Sequence, residues 1–128
     1  MIIDAMFVHV CWVAFLYVVL TILRAPVAWG IDLKSGMIGK YSIYEPKVSA
    51  NLSNQFEWPL FFYGCGILSI SMDMKDIYLI ILAWLFVLGR VIHSVVHIFT
   101  NNIRLRGLVF TINFLAVFLM WLRLYLLV

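Results

Sequence analysis

Charge is what this sequence has least of. Asp, Glu, Lys and Arg make up 12% of its 128 residues, roughly half the share of a soluble globular domain, about 25%. Apolar types make up 66%, and so short a chain has too little interior to hide that many side chains from water. A water-soluble domain is therefore excluded, and lipid is the expected solvent for much of the surface. Cysteine is nearly absent too. Cys11 and Cys65 both lie inside apolar runs, so neither a disulfide framework nor a zinc pattern is available and both read as inert thiols. Proline and glycine are sparse, at three and seven residues, and no repeat or low-complexity tract appears. The residues before the first apolar run, Met1 to Asp4, include no Lys or Arg. The first run is thus expected to stay in the protein and not to be cleaved as a signal.

What is present is hydrophobic length. A helical membrane span needs about 20 mainly apolar residues, and four segments qualify: 5–29, 51–71, 77–100 and 107–128. Polar turns at 72–76 and 101–106 are short enough to make the last three helices antiparallel neighbours. The long connection 30–50 carries Gly30, Gly36, Gly39 and Pro46 and reads as a loop of functional length. The fold class expected is an all-α membrane protein, a single four-helix transmembrane domain over 1–128 with both termini on one side.

The basic residues set its orientation. Arg24, Lys34, Lys40, Lys47, Arg104 and Arg106 fall on one side, whereas Lys75 and Arg123 fall on the other. Lys and Arg accumulate in cytoplasmic loops, so the 30–50 and 101–106 connections are assigned to the cytoplasm and the termini to the opposite side. The net charge of +3 follows from this bias and gives no reason to invoke nucleic acid.

Polar side chains inside the spans are few and ordered. Asn54 and Glu57 sit three apart and share a helix face. Arg90, His93, His97, Asn101 and Arg104 recur at spacings of three and four as one polar stripe. An ionisable group at membrane depth costs roughly 2.5–3.5 kcal/mol on insertion scales, so each calls for a partner or a task. With about 1.5 Å of rise per residue, Glu57 and Arg90 reach similar depth and are expected to act as a coupled pair, structural or functional. Asn54 has the simpler reading of an interhelical hydrogen bond. His93 and His97 lack the intervening Glu of the zinc-protease motif, so no metal site is assigned. Pro59 frees the carbonyl of Gln55 and bends the helix beside Glu57. Aromatic residues near the span ends, among them Trp29, Tyr78 and Trp121, read as interface anchors.

The stretch Ser53-Asn54-Gln55-Phe56-Glu57-Trp58-Pro59, then Ala83-Trp84-Leu85-Phe86-Val87, Arg90, His93-Ser94, His97 and Arg106, resembles the membrane-associated proteins in eicosanoid and glutathione metabolism (MAPEG). The likeness is to the short bacterial members and spans essentially the whole chain. It implies a homotrimer of four-helix subunits with glutathione as cofactor in crevices between neighbours, facing the cytoplasm, and lipophilic electrophiles as second substrate. The membrane implied is the bacterial inner membrane, ahead of the endoplasmic reticulum. Residue by residue, Asn54, Glu57, Arg90, His93 and His97 match the family's glutathione contacts, although the position of His97 is commonly tyrosine. Arg106 matches the thiolate-activating arginine, with Arg104 as the alternate if the turn is shorter. Two departures stand out. Ala50 replaces an arginine usual in catalytic members, and Ser53 replaces a residue that is basic in some. Lys47 and Arg24 are the candidates for the displaced charge. The likeness leaves two functions open, a glutathione transferase or peroxidase and a non-catalytic lipid- or fatty-acid-binding protein. A proton-coupled transporter is disfavoured by the lack of repeats and broken helix pairs.

The charge bias makes a direct prediction. Cysteines placed at Ser35 and Asn102 should label only from the cytoplasmic side, and labelling of either from the opposite side would reverse the assignment.

Overall fold

The computed structural model describes residues 1–30 and 35–128, without side-chain detail at 35–38 and 40. Lys34, counted in the charge bias, lies outside the described residues. Five helices are described: α1 (Ile2–Ala28), α2 (Ser35–Ser53), α3 (Pro59–Ser71), α4 (Ile77–Phe99) and α5 (Ile103–Leu127). α1, α4 and α5 are long and apolar enough to cross a membrane, and α3 is a shorter apolar helix of 13 residues. The first, third and fourth spans agree with these helices to within about a turn. α5 begins earlier than expected because Asn102 caps it, its side-chain oxygen accepting from the Leu105 N–H at 3.1 Å.

The stretch 30–50 differs from expectation. From Ser35 onward it is helical, with Pro46 inside α2. Glycine and proline are local signals, and here tertiary packing overrides them. Val48 and Leu52, one turn apart, are buried against Leu16 and Leu20 of α1 and Ile98 of α4. Arg24 ties the same helix down, with Nε donating to Glu45 Oε1 at 2.7 Å and Nη2 to Ser49 Oγ at 3.1 Å. The expected second span is likewise interrupted. α2 ends at Ser53 and α3 starts at Pro59. Between them the chain tightens, Gln55 N–H bonding to Leu52 and Phe56 N–H to Ser53. These three-residue bonds are what a chain adopts where proline withholds the next donor.

α4 is the central helix, touching α1, α2 and α5. Its buried face carries Leu79, Ala83, Phe86, Val87, Gly89, Arg90, His93 and Ser94, positions that recur at helical spacing. Phe86 stacks on Phe62 of α3 with ring centres 4.5 Å apart, and Ala116, Val117 and Met120 of α5 complete the main core. At Gly89 the Asn113 side chain of α5 packs so tightly on the α4 backbone that a Cβ would lie 1.9 Å from Asn113 Oδ1. Such close approach through a small residue is how membrane helices gain van der Waals contact. Cys65 is buried in this core, whereas Cys11 is exposed.

The end of the bundle opposite the Thr100–Asn102 turn is held by one ion pair. Asp76 caps α4, accepting from the Leu79 N–H at 3.0 Å. It also receives Nη2 of Arg123 at 2.6 Å, and that guanidinium lies 5.0 Å from the ring centre of Tyr78. Chiefly through the Arg123 hydrogen bond, the Asp76 carboxyl is held below its usual value. A carboxylate whose pKa falls on folding stabilises the fold above its unfolded value, about 3.9, and loses that contribution as the pH falls through the folded value. Asp76→Asn keeps the cap and removes the charge. Its midpoint of thermal unfolding in detergent should lie below wild type at pH 7, and the gap should begin to narrow as the pH drops below about 4 and close below the folded value of Asp76. An unchanged gap at low pH would show that the pair does not titrate with folding.

Candidate functional site

The junction between α2 and α3 is built around Arg90, a guanidinium with 0% of its surface exposed. Its Nε donates to Gln55 Oε1 at 3.1 Å, and Nη2 donates to the carbonyl of Asn54. The same Gln55 oxygen accepts from His9 Nε2 at 3.2 Å, while Gln55 Nε2 donates to Ser94 Oγ at 3.1 Å. Ser94 spends its own hydrogen on the Arg90 carbonyl, at 3.0 Å, and also accepts from Trp12 Nε1 at 3.2 Å. These roles leave one consistent arrangement of hydrogens. The Gln55 amide is fixed because its nitrogen must supply Ser94, so His9 carries its hydrogen on Nε2. His9 Nδ1 is then the acceptor for Tyr63 Oη at 2.7 Å. One connected network thus joins α1, the junction, α3 and α4 at membrane depth, where unpaired polar groups are costly.

Beyond this network the polar stripe of α4 continues toward the Thr100–Asn102 turn. α2 runs antiparallel to it, pinned at one end by Lys47 Nζ donating to Asn101 Oδ1 at 2.9 Å and at the other by Arg90 on Asn54. Asn51, His93 and His97 lie along the stretch between these pins. Asn51 Oδ1 and Nδ2, His93 Nδ1, His97 Nδ1 and Arg90 Nη1 are buried with no hydrogen-bond partner among the described residues. So much unmet demand on neighbouring helices marks a polar stretch of the interior, and such groups ordinarily find a ligand or ordered water. Near the end of this stripe lies a cleft of about 270 Å³, whose lining includes Lys47, His97, Asn101, Asn102 and Arg106.

The structure sorts the sequence candidates into groups. His97 and Arg106 share the cleft, and His93 packs edge-on to His97 with ring centres 5.8 Å apart. Arg104 is exposed and lines no part of this cleft. Asn54 is half-buried and Glu57 exposed on the junction. Arg24 stands apart, engaged by Glu45 and Ser49. Glu57 and Arg90 were expected to couple within a subunit or across an interface. Within the chain they form no ion pair, Gln55 and the Asn54 carbonyl occupying Nε and Nη2 of the guanidinium instead, while the Glu57 charge still acts on it. Residues not singled out from the sequence are His9, Trp12, Gln55, Tyr63 and Ser94. The signal for His9 was there, since a histidine within an apolar span is itself a reason to look for a partner.

The family model described as the MAPEG family matches residues 5–126, nearly the whole chain. No curated protein and no solved structure matches the chain.

The network predicts which substitutions are coupled. Gln55→Leu leaves two buried donors, one of them charged, without an acceptor and should cost about 2–3 kcal/mol. Glu57→Gln, at an exposed position, should cost less than about 1 kcal/mol. Combining Gln55→Leu with Arg90→Met should cost less than the sum of the single changes. Equilibrium unfolding in mixed micelles would measure all four, and strict additivity of the Gln55 and Arg90 changes would show that the two side chains act independently.

Proposed function

Because the chain belongs to the MAPEG family, we propose that it is a glutathione-dependent transferase or peroxidase acting on lipophilic electrophiles. It works as a homotrimer, with glutathione bound between neighbouring subunits on the cytoplasmic side of a bacterial inner membrane. The subunit is a four-span bundle with both termini on the non-cytoplasmic side. α3 alone, at 13 residues, rises only roughly 20 Å, so the second crossing needs the junction and the last turns of α2 as well.

The observation that carries this reading is the cleft in which Arg106 stands beside Lys47 and His97, on the side where the charge bias places the cytoplasm. A thiol of pKa about 8.5 is only a few per cent ionised at about pH 7. A guanidinium within hydrogen-bonding reach favours the anion, and lowering the pKa to about 6 raises the thiolate fraction roughly 30-fold. Arginine does not deprotonate at any working pH, so the stabilising charge is permanent. Arg106 is half-buried in the wall while Arg104 is exposed, which favours the former for activation and the latter for membrane anchoring. The exposed carboxylate of Glu57 and the half-buried Asn54 amide suit the ammonium and amide groups of a peptide thiol. His93, His97 and Asn51 offer further hydrogen bonds along the polar stretch. Arg90, wholly enclosed, supports the junction that presents Asn54 and Glu57.

A second reading is a non-catalytic lipid- or fatty-acid-binding protein on the same fold. It is favoured by a recess of about 450 Å³ between α1 and the junction, whose walls are mainly apolar, among them Val10, Val13, Tyr17, Phe56 and Leu60.

Titration of bound glutathione by thiolate absorbance separates the two. The wild type should show a thiol pKa well below about 8.5, and Arg106→Ala should return it toward that value while turnover falls about 10- to 100-fold. Arg104→Ala should alter detergent stability and leave the pKa in place. If neither substitution moves the pKa, thiolate activation does not occur here and the lipid-binding reading takes its place.

A further inference from the structure

The seam between α4 and α5 carries a buried polar side chain that neither the junction network nor the cleft uses. The two helices run antiparallel, and three contacts fix their register. His97 and Arg106 line the cleft together, the His93 and Phe110 rings lie 6.3 Å apart, and Asn113 presses on Gly89. Gly89, His93 and His97 follow one another by one turn of α4, which puts Asn113 about 12 Å inward of His97. The Asn113 side chain is wholly buried. Neither its oxygen nor its nitrogen has a hydrogen-bond partner among the described residues, and the same holds for Nδ1 of His93 and of His97. An amide enclosed without a partner is costly. Leucine has a similar shape and would avoid that cost, so this amide calls for an occupant to bond.

Three features identify the occupant. The unmet atoms are buried, so neither lipid nor a second copy of the chain reaches them. At Gly89 a Cβ would meet Asn113 Oδ1 at 1.9 Å, and helices packed so tightly admit no extended ligand between them. An amide offers both a donor and an acceptor, and an imidazole nitrogen offers one or the other, so the occupant must donate and accept. Water does both, and buried water ordinarily serves groups of this kind. We infer that a file of water molecules, continuous with the basic cleft, fills the α4–α5 seam past His97 and His93 and ends on the Asn113 amide. The seam is then a narrow polar inlet into a bundle otherwise packed with apolar side chains. It keeps His93 in hydrogen-bonded contact with the cleft although the helices close around it. The inference stands apart from the thiol reading, since it concerns the chain with no ligand bound.

The test is X-ray radiolysis of the full chain in detergent, in heavy-oxygen water and without added thiol. A water cleaved beside a side chain leaves its own oxygen there, and mass spectrometry locates the label. Corrected for intrinsic reactivity, His93 should label within about threefold of His97 and about 10-fold or more above Phe62 of the apolar core. Asn113→Leu should lower the His93 label about fivefold and leave that of His97 within about twofold of wild type. Asn113→Ser, which keeps a polar group, should retain most of the His93 label. A wild-type His93 that labels no faster than Phe62 would overturn the inference, and this comparison stands even if a variant fails to fold. An unchanged His93 label in Asn113→Leu would also overturn it, because the file would not end on the amide. So would an equal fall at both histidines, which a general closure of the cleft produces. None of these outcomes bears on thiolate activation.

Discussion

A single guanidinium, buried where a membrane helix breaks, organises this protein. Pro59 cannot donate to the chain before it, so the helical stretch parts into α2 and α3 and carbonyl groups are freed inside the bundle. Arg90 answers that shortage from α4, capping the Asn54 carbonyl and gripping the Gln55 side chain. The charge would be costly alone. It is offset by polar contacts that reach through Gln55 to His9 and through Ser94 to Trp12, so α1 is drawn into the same arrangement. The break, the buried cation and the α1 histidine are therefore parts of one solution and not three separate anomalies.

The same arrangement divides the molecule functionally. On one side of the network the stripe of α4 runs through His93 and His97 to the basic cleft, a polar route along one helix face. On the other side His9, Gln55 and Tyr63 adjoin a recess whose walls are mainly apolar. A polar, charged pocket and a lipophilic one thus lie toward different sides of the network, the first at the far end of the α4 stripe and the second beside α1.

Much of this was legible in the residues and some was not, for identifiable reasons. Hydrophobic length located α1, α4 and α5 to within about a turn, because lipid allows few alternatives to a helix. Spacings of three and four gathered His93 and His97 with Arg90 on α4, but Asn101 and Arg104, read into the same stripe, lie beyond its end at Phe99, Arg104 on α5. The helix from Ser35 was missed, since Gly36, Gly39 and Pro46 signal a turn locally, and only the burial of Val48 and Leu52 on α1 and α4 overrules them. Glu57 was an obvious partner for Arg90 by charge and depth. Gln55 took that place because the chain tightens after Leu52 and turns the amide inward and the carboxylate outward. Periodicity assumes an unbroken helix, and it misplaces side chains where proline breaks one. Tyr63 and Trp12 gave no signal of their own, being ordinary residues for a membrane span until His9 and Ser94 are seen to need them.

The α4–α5 pair also bears on how the chain assembles. Only Thr100, Asn101 and Asn102 separate the two helices. Asn102 fastens the pair at its turn, Asp76 with Arg123 at its far end, and Gly89 against Asn113 in the middle. None of these contacts involves α1, α2 or α3. Short loops close at little entropic cost and local contacts form fastest. A helical hairpin spanning 76–123 is thus able to form as soon as both strands of it have entered the bilayer. The contacts of α1 with α4 bridge a far longer stretch, 82 residues between Trp12 and Ser94, so topology favours docking of the amino-terminal helix onto a carboxy-terminal pair formed before it.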